Sequence, residues 1–520
     1  MHRVFILLLV STLLLTACGQ ATATPYPTVD PFVQGGGNNL PLQVVEAGPL
    51  PTRTPGPTPT RAPLSVTAPP RNPNAPLVTP TPDSPRALPT LRQGADQYVV
   101  QAGDMLGSIA QRYGVSLEAL MQANGLADPN LLTVGMTLDI PAPEPGAVGP
   151  SFKVIPDSEL VYGPASALFD VDGYVQDRGG YLSAYAQDVN GEILTGSQIV
   201  TLVAQNYSVN PRLLLALIEH QSGWVSNPQP AVSDYPLGFV DSYRAGLYRQ
   251  LAWAANELNR GFYWWRANAI SAWVLADGSV VPVDATLNAG TAGVQRLFAQ
   301  LDAFDGWQAD VTVNGLFKTY YLMFGNPFDL AIEPLLPPGL AQPRLTLPFA
   351  QGETWSFTGG PHGGWDSGSA WAAVDFAPPG ESAGCVTSGS WVTAIADGLI
   401  VRAANGAVIQ DLDGDGYEQT GWTILYMHID TFERVEAGTY VSAGDPIGHP
   451  SCEGGVSNGT HVHLARRYNG EWIAADGPLP FNLDGWISSG TGNEYDGYFK
   501  RGSQQLEAWD GVVDLNQISR

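Results

Sequence analysis

The spacing of apolar positions changes character several times along this 520-residue chain. Val4 to Leu15 is a short apolar run, interrupted only by Ser11 and Thr12 and too short to span a bilayer. From residue 19 to 95 periodicity vanishes and Pro and Thr recur, as in Thr54-Pro55-Gly56-Pro57-Thr58-Pro59-Thr60. Such a stretch cannot bury a core and is expected to be a disordered, extended linker. A small module follows over 96–142. Tyr98-Val99-Val100 reads as a strand, and Leu106, Ile109, Ala110 and Tyr113 fall at helical spacing after a turn at Gly103-Asp104. Gly114 stops that helix, Ser116 caps a second one over Leu117 to Ala123, and Leu138 to Ile140 closes as a strand. Between 158 and 335 the period becomes helical: Ser197 to Asn206, Arg212 to His220 behind the Asn210-Pro211 start, Ser242 to Arg260, and Asp284 to Leu301. Four prolines between Pro334 and Pro343 mark a boundary. From 345 to 484 short Val/Ile/Thr runs alternate with glycine turns: Trp391 to Ala394, Leu399 to Ala403, Ala407 to Gln410, Thr423 to His428, Tyr440-Val441 and His461 to Arg466. That texture predicts antiparallel β structure. Residues 485–520 carry no motif. The pattern as a whole predicts a multidomain α+β protein: a βααβ module, a mostly helical middle and a β-rich C-terminal domain.

Charge narrows the class of partner. A net charge of −25 with few lysines argues against nucleic acid, whose phosphates need clustered Lys and Arg. No segment after the N-terminal run has the length of a transmembrane helix. That run ends in Leu15-Thr16-Ala17-Cys18, which resembles a bacterial lipoprotein signal box. The resemblance implies removal of residues 1–17, lipidation of Cys18 and anchorage outside the cytoplasm, on a cell-envelope membrane. Two further cysteines, Cys385 and Cys452, then favour a disulfide.

The module at 96–142 resembles a LysM domain through Tyr98-x-Val100-x-x-Gly103-Asp104, Ile109-Ala110, Tyr113-Gly114-Val115-Ser116, Leu120, Asn124, Leu132, Gly135, Leu138 and Ile140-Pro141. The resemblance implies binding to peptidoglycan glycan. In the middle region, Val209 to Trp224 resembles the catalytic helix of lysozyme-like lytic transglycosylases, and Leu287-Asn288-Ala289-Gly290-Thr291 resembles their later turn. The family's acid corresponds to Gln221, and an amide cannot protonate a glycosidic oxygen. Glu219, two residues earlier, faces another side of a helix. The resemblance therefore implies a degenerate glycan-binding domain, with muramidase activity only if Glu219 substitutes. The run Phe262-Tyr263-Trp264-Trp265 reads as core rather than as a sugar platform.

Five of the seven histidines lie between His362 and His463. In Gly459-Thr460-His461-Val462-His463-Leu464 the two imidazoles share one face of a strand, while Val462 and Leu464 point to the other. Four pieces could converge on a metal: Gly359-Gly360-Pro361-His362, Val374-Asp375-Phe376-Ala377-Pro378, Leu425-Tyr426-Met427-His428 and the His-x-His run. A catalytic zinc takes three N/O ligands and leaves one position open. With Val392-x-Ala394-x-x-Asp397-Gly398-x-Ile400 and Val441-x-x-Gly444-Asp445-x-Ile447-Gly448, the domain resembles an M23 (lysostaphin or LytM type) peptidoglycan endopeptidase. That resemblance implies His362, Asp375 and His463 as zinc ligands, His461 as general base and His428 as second catalytic histidine. The family usually spaces its first two ligands as His-x-x-x-Asp, which would select Asp366. Asp375 is preferred because Asp-Phe-Ala-Pro-Pro reproduces the family context, making 363–374 an inserted loop.

Two features stand apart. Asp411, Asp413 and Asp415 resemble the start of an EF-hand-type calcium loop, but position twelve is Trp422, so a plain acidic hairpin tip fits equally. His449 reads as a surface-loop residue, and His220 as part of the helical packing. The sequence thus implies a zinc endopeptidase acting on peptidoglycan peptides, or alternatively a wall-binding or hydrolase-activating lipoprotein with an inactive site.

Overall fold

The second histidine of the His-x-His run lies on the strand Val462–Tyr468, in the middle of a nine-stranded antiparallel sheet. In the computed structural model residues 80–101, 104–380, 384–386 and 388–520 are described. The signal segment, Cys18, the Pro/Thr-rich stretch to residue 79 and Gly103 lie outside the described residues. The sheet runs Tyr440–Val441, Gly398–Ala404, Ala407–Asp411, Trp422–Met427, Val462–Tyr468, Ala373–Ala377, Thr354–His362 and Gln517–Ser519, with Glu471–Trp472 pairing beside Val462–Tyr468. Alternate residues leave by opposite faces. Val374, Phe376, Ile424, Tyr426, Val462 and Leu464 pack into the core of the C-terminal domain. Ala373, Leu425, Met427 and Ala465 leave by the other face and join the core of the helical region. Both faces of the central strands are therefore covered, which is why the strands lack a polar alternation.

The helical region supplies that second cover. Its main helices are Gly196–Tyr207, Pro211–Ser222, Leu247–Arg266, Ala289–Ala299 and Leu316–Phe324. Leu247–Arg266 and Ala289–Ala299 cross at glycines: a Cβ on Gly261 would come within 2.5 Å of the Ala292 carbonyl oxygen, and one on Gly293 within 2.6 Å of that of Leu258. The helix expected from Ser242 starts five residues later. Asp241 caps a short 3-10 turn at Ser242–Arg244, and Gly246 (φ 93°) interrupts the chain before Leu247. That helix runs on through the aromatic cluster, where Phe262, Tyr263 and Trp265 are buried as core.

Polar contacts weld the region to the sheet. Glu418 bonds Arg467 at 2.7 Å and Arg402 at 3.1 Å, while Arg402 reaches Asn206 Oδ1 (2.8 Å) and Arg467 reaches the Gln205 carbonyl (3.3 Å). Arg266 pairs with Glu471 (3.0 Å), and the Trp472 amide donates to the Tyr263 hydroxyl (2.9 Å).

In the N-terminal module Asp96–Val99 pairs antiparallel with Thr137–Ile140 around Leu106, Ile109, Leu120 and Leu138, and the Ser116 hydroxyl accepts from the Ala119 amide. Two expectations need correction. The linker expected to be disordered to residue 95 is ordered earlier: Asp83 and Arg86 amides donate to the Thr286 and Ala285 carbonyls, and Arg86 donates to the Trp265 carbonyl. The tail is not featureless. Asn482–Leu483, Trp486–Gly490, Gly497–Arg501 and Gln504–Glu507 form a four-stranded sheet, and Gln517–Ser519 returns to the edge of Thr354–His362.

Candidate metal centre

Strand register brings the predicted residues together. His463 lies opposite Asp375 on one side and opposite Met427 on the other, so the next residue after Met427, His428, is beside it. Gly359 pairs with Asp375, and the bulged strand end carries His362 to the same place. The cluster occupies one end of the sheet face whose other end the helical region covers. His362 Nε2 lies 2.9 Å from His463 Nδ1, and Asp375 Oδ1 lies 3.3 Å from each. Asp366 is elsewhere: its carboxylate accepts from the Tyr207 hydroxyl at 3.2 Å.

The outward nitrogens determine what the inward ones can do. His362 Nδ1 is 2.7 Å from the Gly360 carbonyl, and His463 Nε2 is 3.2 Å from that of Gly364. Carbonyls only accept, so both outward nitrogens carry the proton and both inward nitrogens present lone pairs. Two facing lone pairs repel unless a proton or cation lies between them. Asp375 Oδ1 is buried beside them without a hydrogen-bond partner. A tetrahedral ion with bonds of about 2.0–2.1 Å holds its ligands roughly 3.3 Å apart. The donor set and spacing therefore fit zinc. Burial works to raise the Asp375 carboxyl, but the neighbouring His362 and His461 imidazoles outweigh it and hold the group well below the usual carboxylate range.

The remaining pair of histidines faces this triad. The His428 and His461 rings are 4.5 Å apart, centre to centre, and His461 Nε2 is 3.8 Å from Asp375 Oδ1. His461 Nδ1 donates to the Gly459 carbonyl (2.8 Å) and His428 Nδ1 to that of Glu453 (3.1 Å). His428 holds a positive φ of 66°, uncommon outside glycine. Burial first, then His461 and His463, keeps its ring well below the ordinary imidazole range, hence neutral. Cys385 and Cys452 form a disulfide with Cα atoms 5.6 Å apart, next to Glu453 on the rim.

Tyr495 was not legible as a site residue. Its ring stacks on His362 at 4.3 Å, and its neighbour Glu494 accepts from the Gly363 amide. Both come from the motif-free tail, and only the tail's sheet, invisible in the sequence, delivers them. His449 is a correction. It is buried, bonded to the Ser390 carbonyl and Glu433, and packed on Trp391. His220 sits within the helical packing, between Thr319 and Asp310. Asp411, Asp413 and Asp415 each bring a carboxylate oxygen within 4.8 Å of the others at a hairpin tip. Asp411 is bonded by the amides of Asp413, Gly414 and Gly416, while Glu418 of the same run is taken up by the two arginines.

Comparison with known proteins matches three stretches of the chain, the last of them beginning after His362 and Asp375. Residues 98–141 match the LysM domain, residues 153–337 the LasA N-terminal domain, and residues 380–475 peptidase family M23. Protease LasA of Pseudomonas aeruginosa is 25% identical over 338 residues, covering 62% of this chain and 75% of that protein. N-acetylmuramoyl-L-alanine amidase XlyA of Bacillus subtilis is 42% identical over 64 residues, 12% of this chain and 21% of that one. Among solved structures, the deep-sea M23 metalloprotease Pseudoalterin aligns at 25% identity with a TM-score of 0.28, covering 32% of this chain and 97% of that one. The catalytic domain of lysostaphin from Staphylococcus simulans aligns at 27% identity with a TM-score of 0.17, covering 23% and 87%. The LasA match corrects the lysozyme-like expectation for the middle region. The local structure agrees: Glu219 accepts from the Val225 and Ser226 amides and from the Ser226 hydroxyl, closing the turn after its helix. This chain is thus a peptidase that carries a LysM domain, a LasA N-terminal domain and an M23 peptidase domain, in that order.

Proposed function

We propose that the chain is a zinc metalloendopeptidase that hydrolyses peptide bonds of peptidoglycan, brought to the wall by its LysM domain and held outside the cytoplasm by a lipid on Cys18. The observation that carries the reading is the set of three inward donor atoms from His362, Asp375 and His463, with two further imidazoles against it; His428, His461 and His463 fall within the stretch, residues 380–475, that matches peptidase family M23. Those three residues would hold the ion. Bound zinc supplies a Lewis acid for the scissile carbonyl and an acidified water.

The chain's own residues manage the protons. With Nδ1 donating to the Gly459 carbonyl, His461 presents a basic Nε2 to the cleft and takes a proton from the attacking water. His428, neutral and oriented by the Glu453 carbonyl, accepts the water's other hydrogen and aims its lone pair. Protonated His461 then returns its proton to the leaving amine. Burial of His362, Asp375 and His428, with His461 and His463 only partly exposed, limits competing water.

The test is metal analysis of the full chain together with digestion of purified peptidoglycan. One equivalent of zinc and new free amino groups, both lost in His463→Ala, are the expected result. A zinc-free protein that binds cell wall and releases no amine would overturn the reading. Release of reducing sugar ends would instead point to glycan cleavage.

A further inference from the structure

The helical region and the metal centre meet in one loop. Residues 363–372 leave the sheet after His362 and lie on the helix Leu247–Arg266 before returning to Asp375. The Gly368 amide donates to buried Asn256 Oδ1 at 2.6 Å, and Arg260 donates to the Ser367 hydroxyl at 2.8 Å. Tyr207 donates to Asp366 and meets Trp365 edge-on, with ring centres 6.3 Å apart. Asp366 holds a φ of 57°, a conformation that Asp tolerates better than most residues. Gly368 lies so close to the helix that a Cβ there would overlap the Asn256 carbonyl oxygen. From this anchorage the loop sends one group back to the metal centre. The Gly364 carbonyl accepts from His463 Nε2 at 3.2 Å. That outward bond fixes the tautomer and ring plane of His463, and with them the aim of Nδ1 at His362 and Asp375. Partners of this kind typically change metal affinity 10–100-fold when removed.

We propose that the helical region is a positioning partner of the metal centre. Asn256, aided by Arg260 and Tyr207, holds the loop so that the Gly364 carbonyl orients His463. The inference rests on reading His362, Asp375 and His463 as the zinc site. It gives the long spacing between His362 and Asp375 a purpose, because a three-residue spacer could not reach the helix. It also makes docking and metal binding reciprocal: whatever loosens the helical region weakens zinc, and zinc tightens the docking.

The experiment compares the full chain with Asn256→Leu, Asn256→Asp and Gly368→Ala. Zinc affinity is measured by chelator competition, and the site is probed by the visible spectrum of the cobalt-substituted protein. Asn256→Leu removes the acceptor and should weaken zinc roughly tenfold or more and alter the cobalt bands. Gly368→Ala pushes the loop off the helix from the other side and should do the same. Asn256→Asp keeps an acceptor for the Gly368 amide and should stay close to wild type. Equal affinity and an unchanged cobalt spectrum in Gly368→Ala overturn the proposal, whether or not Asn256→Leu folds. A wild-type chain that takes up no zinc overturns the metal reading itself, a result that no variant is needed to recognise.

Discussion

Replacing Glu418 by Ala should unfasten the helical region from the sheet. The carboxylate is buried between Arg467, whose side chain is 3% exposed, and Arg402, 17% exposed. Arg402 grips it through both Nε and Nη2. Truncation leaves two guanidinium groups without their counter-charge, one of them fully enclosed. Removing one partner of a buried ion pair costs about 3–5 kcal/mol, whereas exposed pairs contribute about 0–1 kcal/mol. The larger figure applies because neither arginine can rotate into water while Gln205 and Asn206 hold its other nitrogens. Urea denaturation followed by tryptophan fluorescence and far-UV circular dichroism reads the change. A loss of about 3 kcal/mol or more is expected. The combination Glu418→Leu, Arg402→Met and Arg467→Met should recover most of it, since matched apolar replacement of a buried triad is close to neutral. The pH dependence has a fixed sign. Burial works to raise the Glu418 carboxyl, but Arg402 and Arg467 outweigh it and lower it below its ordinary value. A group depressed in the folded state stabilises above its unfolded pKa and loses that contribution as pH falls through the folded one. The gap between wild type and Glu418→Ala should therefore be full at neutral pH and close under acid. A loss below about 1 kcal/mol at neutral pH, or a gap that widens in acid, refutes the reasoning.

Other outcomes test other parts of the molecule. His461→Ala and His428→Ala should each lower kcat by about 10²–10⁴-fold while zinc content stays at wild type, checked by metal analysis beside peptidoglycan digestion. Burial, then the neighbouring Asp413 and Asp415, pushes the Asp411 carboxyl up to about 8, so its contribution to stability should be present in acid and lost as pH rises toward 8; melting curves of wild type should fall more steeply over that range than those of Asp411→Asn. The Cys385–Cys452 link closes a separation of 67 residues, for which chain entropy gives about 4 kcal/mol; reducing agent should lower the denaturation midpoint of wild type and leave that of Cys385→Ser/Cys452→Ser unchanged.

The parts of the fold that the sequence revealed are those held by local rules. Ser116 caps its helix, and Asn210-Pro211 starts the one that ends at Gly223, because caps act within a turn. What stayed hidden depends on partners far away in the chain. Thr354–His362, which is not among the β runs that the pattern predicts, is a strand because Ala373–Ala377 and Gln517–Ser519 flank it. Two-sided burial also leaves Ala373–Ala377 without a polar alternation, since Ala373 faces the helical region rather than water. The middle domain failed as a family assignment for a similar reason. A buried helix ending in Glu219-His220-Gln221-Ser222-Gly223 fits more than one domain, and the side chain that would carry the chemistry is here a turn-closing acceptor.

The candidate metal centre was legible through its histidines and aspartate and illegible through the groups that support them. Imidazoles and carboxylates announce themselves by type, so His362, His428, His461, His463 and Asp375 could be named before any fold was known. The groups that aim them are mostly backbone carbonyls, of Gly360, Gly364, Glu453 and Gly459, and a carbonyl has no signature in a sequence. Tyr495 and Glu494 arrive through tail strands, and Asn256 through a helix more than a hundred residues before the loop it holds. The unusual interval between His362 and Asp375 was the one trace of those supports in the sequence. It looked like a departure that endangered the site. In the folded chain the same interval lets the loop reach the helix and return with the Gly364 carbonyl, so the departure in spacing and the added domain are two sides of one arrangement.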